Sequence, residues 1–120
     1  MVGSRAIDPA RLGDFLRAVH GLGLDVMITE LDVIDNEFPG DEALRDKLVG
    51  QKTRELLDCV FDAAQPTAIV TWGLSDKYTW VPIYYKRRDG LPNRPLPLDR
   101  DMQVKPMHSV VSEFITRCGA

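Results

Sequence analysis

The chain reads as an α/β protein. Helical and extended patterns alternate along it, and each extended run is followed by a long loop. Leu12, Phe15, Leu16 and Val19 recur at helical spacing. Residues 24–31 and 67–72 are short apolar runs of strand length. The order helix–strand–helix–strand–helix predicts βα units and a parallel sheet.

The elements follow from local chemistry. Asp8-Pro9 opens the first helix, with a capping carboxylate followed by proline at the first helical position. Gly21 and Gly23 stop it. Leu24 to Leu31 is the first strand, and it delivers Glu30 at its tip. A polar turn follows, from Asp35 to Gly40, and Asp41 caps a longer helix. Leu44, Leu48, Leu56, Val60, Phe61 and Ala64 fit one face of that helix with some drift, and Gly50 marks a kink or break within it. Gln65-Pro66 ends it. Thr67 to Trp72 is a continuous apolar strand, of the kind found in parallel sheets covered on both faces.

From Gly73 to about Gln103 no periodicity stands out. The segment holds Pro82, Pro92, Pro95 and Pro97, four of the chain's eight prolines. Its aromatics, Tyr78, Trp80, Tyr84 and Tyr85, argue for an ordered, functional loop rather than disorder. Pro106 opens a last helix with Met107, Val110, Val111 and Phe114 on one face. A closed eight-fold barrel takes about 250 residues. These 120 residues supply two strand–helix units and a leading helix. Two strands cannot close, and alone they would leave both sheet edges bare. The expectation is a partial (β/α)8 TIM barrel.

Composition is that of an ordinary globular protein, 44% hydrophobic and 28% charged. A formal net charge of −3 argues against the basic surface a nucleic-acid partner needs. Lys86-Arg87-Arg88 is the only basic cluster and reads as a solvated loop, with a polar substrate contact as the alternative. No apolar run approaches the ~20 residues that span a bilayer, and Met1 to Asp8 has no signal-peptide core. Cys59 and Cys118 form no metal-ligand spacing and read as free thiols, with a disulfide between them as the alternative. His20 and His108 read as surface or structural histidines. With no phosphate loop, zinc motif or Ser/His/Asp arrangement, no cofactor or metal is expected.

Glu30 is the residue to explain. An unpaired buried carboxylate is costly, so a glutamate at a strand tip faces a cleft or has a partner. Asp32 lies two residues on, on the same side of an extended chain, with alpha carbons ~7 Å apart. Carboxylates this close push one pKa up. Residue types alone leave acid–base work and a strand-end brace equally open. Trp72 occupies the tip of the second strand, and Trp80 the loop beyond. Two indoles over carboxylates suit a sugar ring, although Trp72 by itself fits core packing as well.

The stretch Gly23-Leu24-Asp25-Val26-Met27-Ile28-Thr29-Glu30-Leu31-Asp32-Val33 resembles the active-site signature of glycoside hydrolase family 10, the retaining endo-1,4-β-xylanases. Thr71-Trp72-Gly73-Leu74-Ser75-Asp76-Lys77-Tyr78-Thr79-Trp80 is similar to that family's eighth-strand segment. Pro97-Leu98-Asp99 through Gln103-Val104-Lys105-Pro106 is similar to the approach to its final helix. The resemblance implies that residues 1–120 are the C-terminal part of the catalytic domain, from the helix after strand six through units seven and eight. It implies Glu30 as nucleophile, Asp32 in the hydrogen-bond network around it, Trp72 and Trp80 around the sugar, and a structural role for Asp76 in shaping its loop.

It also implies xylan or xylo-oligosaccharide as substrate, and secretion or periplasmic export of the full-length enzyme. The family's acid/base glutamate and its strand-six histidine have no counterpart here; Asn36-Glu37 lies in the turn after strand seven. The isolated chain is therefore expected to be inactive. The remaining alternatives are a non-catalytic carbohydrate-binding fragment and an assembly piece that folds with the rest of the barrel or with copies of itself.

Overall fold

The computed structural model describes residues 2, 3 and 5–119. Helix α1 (Pro9–Gly21) is followed by strand β1 (Met27–Leu31), helix α2 (Glu42–Ala63) and strand β2 (Ala68–Thr71). A short 3-10 turn (Asp76–Tyr78), helix α3 (Val81–Tyr84) and helix α4 (Pro106–Ile115) complete the order. The caps lie where the sequence places them. Asp8 accepts from Arg11 N at 3.1 Å, and Asp41 accepts from Leu44 N at 2.8 Å.

β1 and β2 pair in parallel, with Met27 opposite Ala68, Ile28 opposite Ile69 and Leu31 opposite Thr71. Between Ile28 and Leu31 the register shifts. β1 advances three residues there while β2 advances two, so Thr29 and Glu30 lie on a bulge. On the other edge of β1, Val2 forms a parallel bridge to Val33, through Val2 N to Asp32 O at 3.0 Å.

The helices cover one face of this sheet. Leu31, Val33 and Ile69 pack with Val49, Leu57 and Phe61 of α2 and with Met107, Val110, Val111 and Phe114 of α4. Leu16 of α1 joins Val60 and Ala64 in a smaller cluster. The expectation of a strand covered on both faces is not met. Val70 is 46% exposed and Met27 55% exposed, because only the helical side of the sheet has neighbours.

Other expectations also change. Both strands are shorter than their apolar runs. Phe15 points to solvent despite its helical spacing. α2 runs unbroken through Gly50. A Cβ there would stand 3.1 Å from Pro106 Cβ and 3.4 Å from Met107 N, so the glycine lets α4 start against the middle of α2. The segment 73–103 is an ordered wrap, pinned by bridges from Leu98 to Ser75 and to Val104. Gly73, at φ 108°, opens it where a side chain would meet Leu96 Cδ1 at 2.9 Å. Arg87 is buried rather than solvated, donating to the carbonyls of Asp35 and Phe38 and to Asp89. Lys86 and Arg88 beside it are exposed. Both cysteines are free thiols. No described helix is long and apolar enough to cross a membrane.

Candidate active site

Glu30, Asp32, Trp72 and Trp80 line one cleft of about 220 Å³. β1 carries Glu30, Asp32 follows its last residue, and Trp72 follows the last residue of β2. The strand tips are locked together by Trp72 N donating to Leu31 O at 2.9 Å. The bulge sits at Glu30, where such a feature re-aims a side chain. Glu30 is exposed, whereas Asp32 is only 1% exposed.

Trp80 returns to the cleft across the loop and donates its indole Nε1–H to Asp32 Oδ2 at 2.7 Å. Its ring lies 5.9 Å from both Tyr84 and Tyr85. A half-buried indole seeks a partner for its single donor, and here the partner is the buried carboxylate of Asp32. Trp72 is 50% exposed, so it is a wall of the cleft and not core.

Burial pushes the Asp32 carboxyl up from the ordinary carboxylate range. The nearby Glu30 charge adds to this, and the Trp80 hydrogen bond opposes it. Asp32 Oδ1 is buried with no hydrogen-bond partner among the described residues. The cleft thus offers one exposed carboxylate, one buried carboxylate committed to an indole, and two aromatic faces.

A buried charged framework, mostly not evident from the sequence, ties together the segments that follow the two strands. Asp35, fully buried, accepts from Asn93 Nδ2 and Arg94 N, each at 2.8 Å. Arg94 holds Asp46 with two bonds of 2.7 Å. Asp76 accepts from Leu96 N at 2.9 Å and from Lys105 Nζ at 2.8 Å. Lys105 also donates to the carbonyls of Arg94 and Leu96. Asp76 was expected to shape its loop, and it does. A signal for the rest lay in α2, where Arg45 and Thr53 fall at core spacing with Val49, Leu57 and Val60. Polar residues on an apolar stripe announce buried partners.

Burial raises the Asp76 carboxyl from 3.8 to about 6, against the pull of Lys105 and the Leu96 N–H. The folded state therefore keeps a proton that the unfolded chain has already released. Between pH 3.8 and about 6, this group makes stability fall as pH rises. Urea unfolding across that window should show a descending component of up to about 1.4 kcal/mol per pH unit in the parent chain, absent in Asp76→Asn. Identical slopes in the two proteins would exclude it.

Two carboxylates and two indoles thus meet at the ends of adjacent parallel strands backed by helices. The solved structure of xylanase 10B from Thermotoga petrophila RKU-1 in complex with xylobiose superposes on 96% of this chain, with a TM-score of 0.76 and 28% identity. A thermostable celloxylanase of Thermoclostridium stercorarium is 33% identical over 106 residues, 80% of this chain. An endo-1,4-beta-xylanase A of Thermoanaerobacterium saccharolyticum is 36% identical over 93 residues, 76% of this chain. The family model for glycosyl hydrolase family 10 matches residues 2–114, and the chain belongs to that family. It spans 26% of the Thermoclostridium relative and 34% of the Thermotoga structure.

Proposed function

We propose that this chain is the nucleophile-bearing C-terminal part, residues 1–120, of a catalytic domain that hydrolyses internal β-1,4 bonds of xylan with retention. The observation that carries this reading is the convergence of Glu30, Asp32, Trp72 and Trp80 on one cleft, with Trp80 bonded to Asp32.

Each residue then has a task. The Glu30 carboxylate attacks the anomeric carbon as the bond to the leaving oxygen breaks, and the electron pair departs with that oxygen. A proton from the acid/base carboxyl neutralises it. Water, deprotonated by the same acid/base group, later releases the sugar from Glu30. Trp72 and Trp80 hold the ring, and Asp32 fixes the indole of Trp80 above it.

Retaining chemistry needs a second carboxyl about 5–5.5 Å from the nucleophile. Asp32 is a poor candidate for it, being buried and committed to Trp80. The acid/base group must come from elsewhere in a complete barrel. The partner of the open sheet is thus the remainder of such a barrel, with self-association the alternative, and export is the destination of the whole enzyme.

The test joins the preceding two thirds of the Thermotoga petrophila enzyme to this chain. The 120-residue chain alone should leave xylan intact, and the chimera should hydrolyse it with retention. Full activity of the chain alone, or inverted product from the chimera, would overturn the reading.

A further inference from the structure

Trp80 has a single side-chain donor, and Asp32 takes it. One hydrogen bond fixes the position of Nε1 and leaves the plane of the indole free to swing about it. Two rings stand beside that plane, each with its centroid 5.9 Å from the indole. Tyr84 is 76% exposed and ends the one-turn helix α3, so it offers a loose face. Tyr85 is half-buried and meets the indole edge-on, at 81° between planes, a favoured arrangement of two rings. The brace on the indole plane is therefore Tyr85.

Tyr85 is held in turn by Asn93. The Asn93 side-chain nitrogen donates to the Tyr85 carbonyl at 3.1 Å and to Asp35 Oδ1 at 2.8 Å. Both partners only accept, so the amide turns its nitrogen and not its oxygen towards them, and both of its N–H groups are used. Asn93 is buried, so water does not compete for these bonds. The backbone around it is fixed to the segment after β1. Arg94 N donates to Asp35 Oδ2 at 2.8 Å, and Val33 N donates to Pro95 O at 3.1 Å. Asn93 thus stands on a firm base and reaches out to Tyr85, just past the end of α3.

We propose that Asn93 is a positioning residue for the sugar site: by tying the Tyr85 carbonyl to Asp35, it sets the Tyr85 ring and through it the plane of Trp80. The consequence for hydrolysis rests on the reading above, in which Trp80 holds the sugar. The residues after β1 then fix the indole twice. Asp32 holds its Nε1–H, and Asp35 acts through Asn93 and Tyr85. One side-chain amide links the buried charged framework to the cleft.

The test reads the Trp80 indole in the full chain labelled with 15N, with Trp80→Phe assigning its Nε1–H signal against that of Trp72. Asn93→Ala should shift that signal and speed its hydrogen exchange by at least about tenfold, with the Trp72 signal unmoved. Tyr85→Leu, which removes the ring and keeps the carbonyl, should do the same. The double variant should be no worse than the stronger single, because both changes break one linkage. Val60→Ala, a core truncation between α1 and α2, controls for lost stability and should leave the Trp80 signal in place. If Asn93→Ala does not fold, Asn93→Ser, which keeps one donor, is read by the same criteria. An unmoved Trp80 signal in the Asn93 variant, additive effects in the double variant, or the same shift in Val60→Ala overturns the proposal. In the chimera, Asn93→Ala should lower kcat/KM about tenfold to a hundredfold, and an unchanged kcat/KM overturns it as well. A chimera that is inactive with Asn93 in place overturns the hydrolase reading instead, and the indole measurements then decide the role of Asn93.

Discussion

Glu30→Ala in the completed barrel should lower kcat on xylan by about four orders of magnitude or more, the scale at which removal of a covalent nucleophile acts. Without the carboxylate no glycosyl-enzyme intermediate can form, and nothing else described at the cleft replaces it. Asp32 sits too deep, at 1% exposure, with one oxygen on Trp80. KM should change much less, because Trp72 and Trp80 still hold the ring. Steady-state kinetics separate the two constants. A variant that kept a tenth or more of the parent kcat would remove Glu30 from the chemistry.

Asp35→Ala should cost about 3–5 kcal/mol of unfolding free energy, the range for removing one member of a buried ion pair. The loss leaves Arg94 N without its acceptor and removes the carboxylate that stands 3.5 Å from Arg45 Nε. The contrast is Asp14→Ala, which breaks a surface pair with Arg17 whose side chains are 79% and 56% exposed; that pair is worth under about 1 kcal/mol. Urea midpoints measured on the same chain compare the two. Equal effects would mean that the buried framework carries no special share of stability.

Much of the site was legible because it is local. Glu30 and Asp32 stand two residues apart at the end of an apolar run, and Trp72 ends the next run. Strand tips are where chemistry sits in a barrel, so Glu30, Asp32 and Trp72 could be named from position, while Trp80 came from its aromatic loop and the family resemblance. Helix limits were equally local. Asp8-Pro9, Asp41 and Pro106 are start signals whose hydrogen bonds or ring geometry act within one turn.

The misses share a different cause. Lys86-Arg87-Arg88 looks solvated, yet Arg87 reaches backbone carbonyls 52 and 49 residues away. Asp46 and Arg94 pair across 48 residues. No periodic pattern records a contact between a helix face and a loop that returns to it. The close approach of α4 at Gly50 was missed for a related reason: a helical glycine shows its purpose only when the neighbouring helix is in place.

By itself the sequence determined the family, the alternation of elements and the identity of the cleft residues, since short-range patterning and capping encode these. Tertiary structure alone decided that a bulge lies at Glu30, that Trp80 hangs on Asp32, and that buried charges clamp the loops. Those arrangements depend on where the chain returns in space, and the return is set by packing α2 between α1 and α4, which brings distant residues within bonding distance.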